Sequence, residues 1–133
     1  MLTEIETVQV TVLDQTSSGE ILNQLKMEFQ SATVTLRDLI SGRVRQETKR
    51  LFESSNRSRY SLIGQTDLET SQINSIDITL LQDTKVKYAL EMFQKNSFLV
   101  LVDDLQVTSL DQEIRLTNDT AISFLKLVPL IGG

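Results

Sequence analysis

The sequence contains no cysteine, no histidine and no tryptophan, and only one proline. Without cysteine there is no disulfide, no thiolate metal site and no thiol nucleophile. Without histidine the chain lacks the commonest general base and the commonest zinc ligand. Serine, carboxylate or lysine chemistry would still need a frame, and no G-x-S-x-G, G-x-x-x-x-G-K or G-x-G-x-x-G occurs to supply one. The expectation is a protein that is not an enzyme and uses no metal or other cofactor. Positive charge is also in deficit, with 13 Lys and Arg against 18 Asp and Glu and a formal net charge of −5. Phosphate-backbone binding calls for a basic surface, so nucleic acid is not an expected partner. No run approaches the roughly 20 apolar residues of a membrane span. The opening MLTEIETVQV has neither the basic start nor the apolar segment of a signal peptide. A soluble, cytoplasmic protein with no membrane partner is expected.

What is present fits one domain over residues 1–133. The length suits a single core with an elaboration, and 40% apolar against 23% charged residues is ordinary globular chemistry. Val8, Val10 and Val12 alternate with Gln9, Thr11 and Leu13, the period of a half-buried strand. DQTSSGE supplies turn chemistry with Ser18 and Gly19 at its tip, and Leu25, Met27 and Phe29 alternate with Lys26 and Glu28. The pattern predicts a hairpin over 8–30. The period then changes: Leu36, Ile40, Val44 and Leu51, with Leu39 beside them, form a helical stripe over 35–53. Thr35 with Asp38 reads as a capping box, and Val34 with Leu39 as a hydrophobic staple.

From 54 to 96 the sequence reads as an insertion, polar and irregular at first. Within it SIDITLL suggests a short strand, and DTKVKYALEMFQKN a second short helix capped by Asp83 with Val86, Leu90 and Phe93 on one side. SFLVLVDDLQV predicts a strand, a turn at Asp103 and Asp104 in preference to a cation site, and a short return strand. TSLDQEIRLTND reads as connecting structure anchored by Leu110, Ile114 and Leu116. AISFLKLV is a strand, expected to lie beside 8–13 and parallel to it, and it ends at Pro129, which cannot donate to a ladder.

A hairpin, a long helix and further strands, the last running into Gly132 and Gly133, resembles the layout of the ubiquitin-like β-grasp fold. That implies an α+β protein whose mixed sheet carries one main helix, here with a polar insertion containing a second short helix. The ending LVPLIGG is also similar to the tails of the small sulfur carriers of molybdopterin and thiazole synthesis. The resemblance covers 8–53 and 97–133 by element order, and only the terminal motif is specific. It implies that the carboxylate of Gly133 is adenylated by an activating enzyme, that Gly132 is its permissive neighbour, and that Pro129, Leu130 and Ile131 are the recognised stem. Glycine suits this role because a tail without Cβ atoms can thread a narrow channel.

Two functions follow from the resemblance. One is a protein modifier joined to target proteins, with a conjugating enzyme and a deconjugating protease, as in bacterial operons associated with anti-phage defence. The alternative is a sulfur carrier bearing a C-terminal thiocarboxylate; a β-grasp interaction module is a third reading. The tail has PLI where ubiquitin has arginine, so a ubiquitin-type activating enzyme is not expected to accept it. Lys26, Lys49, Lys85, Lys87, Lys95 and Lys126 read as solvated surface. In FLVLV both alternating sets are apolar, so one set must face away from the helix. If Leu125 and Leu127 face the core, then Ile122, Phe124 and Val128 turn outward with Phe98 and Val100, as a partner patch or as a surface covered by the insertion.

Overall fold

The computed structural model describes residues 7–54 and 78–127. In chain order these form β1 (Val8–Thr16), β2 (Ile21–Phe29), β3 (Thr33–Thr35), α1 (Leu36–Ser54), α2 (Ile78–Gln94), β4 (Phe98–Val102), β5 (Leu105–Val107), β6 (Glu113–Arg115) and β7 (Ala121–Lys126). The protein is α+β. Its main sheet is mixed and five-stranded in the order β2-β1-β7-β4-β5, and β3 and β6 make a separate two-stranded ladder.

The β1–β2 hairpin turns at Gly19, whose φ of 94° lies where a Cβ would be strained. The ladder shifts register between Asp14 and Gln15, and this bulge places Ile21 opposite Gln15. Helix α1 starts where the sequence signals it. The Thr35 amide donates to Asp38 Oδ2 at 3.0 Å, and the Asp38 amide donates to Thr35 Oγ1 at 3.1 Å. The reciprocal pair satisfies two donors in the cap. Leu36, Leu39, Ile40, Val44 and Leu51 are all buried, as their spacing predicts.

Helix α2 begins at Ile78, five residues before Asp83. The segment read as a strand in SIDITLL is therefore helical from Ile78, because Leu81, Lys85, Ala89 and Phe93 continue one buried stripe at a spacing of four. Asp83 is not a cap: it lies inside the helix and pairs with Arg45 at 2.8 Å. The Gln82 amide also donates to the Arg45 carbonyl at 2.9 Å, which fastens α2 to α1. Lys85, read as solvated, is 2% exposed. The helix ends in a Schellman arrangement: Asn96, with φ of 61°, donates to the Phe93 carbonyl and Ser97 to that of Met92.

Asp103 and Asp104 both have positive φ, the requirement of a tight two-residue turn between β4 and β5. The stretch read as connection holds a further strand, β6, whose Ile114 stands opposite Val34 of β3. Leu110, Ile114 and Leu116 are buried as anchors. Strand β7 lies between β1 and β4, parallel to the former and antiparallel to the latter. Both helices feed one core against the sheet, in which Phe93, Phe98 and Phe124 stack in tilted pairs with centroids 5.7 and 6.2 Å apart.

Candidate functional site

Strand β7 fixes where the end of the sequence begins. Its last residue, Lys126, pairs with Thr16 on one side and Phe98 on the other, at the end of the sheet that carries the β1–β2 turn. The Leu127 amide donates to the Ser97 carbonyl at 3.3 Å. Val128 and the tail residues Pro129, Leu130, Ile131, Gly132 and Gly133 lie outside the described residues. They follow directly on the central strand, which is held by a ladder on both sides.

Around that strand the sheet has two different faces. Parallel register sets Val12 beside Ile122 and Asp14 beside Phe124, so Ile122 and Phe124 share the buried face of β1. Phe98 and Val100 join them, and all four are at most 2% exposed. The outward patch expected at Ile122, Phe124, Phe98 and Val100 is therefore reversed: these side chains stand under the helices. The outward set is Leu13, Leu99, Leu101 and Leu125, each half-buried. Leu13 and Leu101 flank Ser123, while Leu125 stands between Gln15 and Leu99, with exposed Ile21 beyond Gln15. This apolar face adjoins the departure point of the tail.

A second cluster lies on the buried face. Asp14 continues the inward alternation of Val8, Val10 and Val12, and Arg43 with Glu47 continues the inward stripe of Leu36 and Ile40. Arg43 Nη2 donates to Asp14 Oδ2, its Nη1 donates to Glu47 Oε2 at 2.7 Å, and Asn23 Nδ2 also donates to Asp14 Oδ2 at 3.2 Å. The guanidinium carbon lies 6.0 Å from the Phe124 ring centroid. Burial pushes the Asp14 carboxyl above the usual carboxylate range, and Glu47 adds to that; Arg43 and the hydrogen bonds from Arg43 and Asn23 oppose it. The cluster ties β1, β2 and α1 together beneath β7. Sequence reasoning missed it, although charges at core-phase positions in both periods were the signal.

Among the described residues no group of three or more carboxylates is placed to hold a metal ion. Asp103 acts as a turn residue: its amide donates to the Ala121 carbonyl at 2.8 Å, and its Oδ1 accepts from the Ala121 amide at 2.9 Å. Among the described residues no helix is long and apolar enough to cross a membrane. No known family, no curated protein and no solved structure matches the chain.

Proposed function

We propose that this chain is a ubiquitin-like protein modifier, a β-grasp domain that presents Gly132 and Gly133 to an adenylating enzyme and is then conjugated to target proteins. One observation carries the reading. The sheet order β2-β1-β7-β4-β5, with β7 parallel to β1 at the centre, makes the strand that leads into LVPLIGG a rigid launching point. A diglycine carried on such a base reaches an active site without rearrangement of the domain. Adenylation converts the inert carboxylate of Gly133 into an acyl group with a good leaving group, and an acceptor amine, hydroxyl or thiol then displaces AMP or the intervening carrier. The face of Leu13, Leu99, Leu101 and Leu125, near the end of β7, is the surface by which the activating and conjugating enzymes would hold the domain.

The test is a reconstituted transfer reaction with ATP, magnesium and candidate activating enzymes. Wild-type chain exchanges pyrophosphate and forms a thioester. Gly132→Val loses both without a change in melting temperature, and Leu125→Glu weakens both while the fold persists. Unaltered transfer by Gly132→Val would show that the diglycine is incidental. The apolar stem Pro129–Ile131, without arginine, also suits a sulfur carrier, and the product separates the two: an adduct on a second protein, or sulfur in place of one carboxylate oxygen on this chain.

A further inference from the structure

We draw no further inference here: the strongest candidate, the recess between β2 and α1 lined by Asn23, Leu25, Arg43, Gln46 and Arg50, beside which Arg43 Nε and Gln46 Oε1 are buried without a hydrogen-bond partner among the described residues, adjoins the Asp14–Arg43–Glu47 cluster already described, and nothing in the structure shows what covers it.

Discussion

Arg43 is the side chain whose loss should matter most to stability. It carries two buried carboxylates, and deleting it leaves Asp14 and Glu47 facing each other at 0% and 6% exposure. Arg43→Met is expected to cost about 3–5 kcal/mol, the usual consequence of orphaning a buried charge. Asp14→Asn should cost much less, within about 1 kcal/mol, because a neutral amide keeps an acceptor for Arg43 and leaves one cation with one anion. Urea denaturation of the two variants checks the asymmetry. Equal losses would mean that the cluster acts by packing alone.

Asp14 in the same cluster sets a dependence on pH. Asp14 holds its proton more tightly folded than unfolded, so its contribution is fully present below the unfolded value, near 3.8, and is lost as pH rises through the raised folded value. The difference in stability between wild type and Asp14→Asn should therefore move in favour of the variant as pH rises from acid toward neutrality. Movement the other way would show that the charge of Arg43 outweighs burial.

At the scale of elements, α1 rests on its cap. Thr35→Ala removes the acceptor for the Asp38 amide, and about 1 kcal/mol of stability should go with it. A thermal melt checks this, and an unchanged midpoint would mean that the β3–β6 ladder holds the helix start unaided. This start was legible in the sequence because Thr35 and Asp38 have one local use at that spacing. The hairpin was legible for a similar reason: Val8, Val10 and Val12 alternate against mostly polar neighbours, and Gly19 punctuates them. The start of α2 was not, since SIDITLL satisfies a strand period and a helical stripe over so few residues.

The facing of β4 and β7 was illegible for a deeper reason. Both alternating sets in these strands are apolar, so neither strand declares an inside. The choice is made by neighbours, because Val12 is unambiguously inward and its parallel register carries Ile122 inward with it. Asp14 and Arg43 stayed hidden because each was read within one element. Only the packing of α1 across β1 shows that two core-phase charges are one pair.

For the molecule as a whole, the central strand and the sequence beyond it bear the functional claim. Residues 127–133 contain no lysine or arginine, so trypsin would cut after Lys126 and leave Leu-Val-Pro-Leu-Ile-Gly-Gly attached to whatever the chain had modified. The most direct measurement is mass spectrometry of tryptic digests from cells that make the protein together with its activating enzyme. The modifier account predicts this heptapeptide joined through Gly133 to a lysine amine or a hydroxyl of other proteins, and its absence when Gly132 is changed to valine. Recovery of residues 127–133 only as unattached peptide, as a thiocarboxylate, or continued past Gly133 by further residues would contradict it.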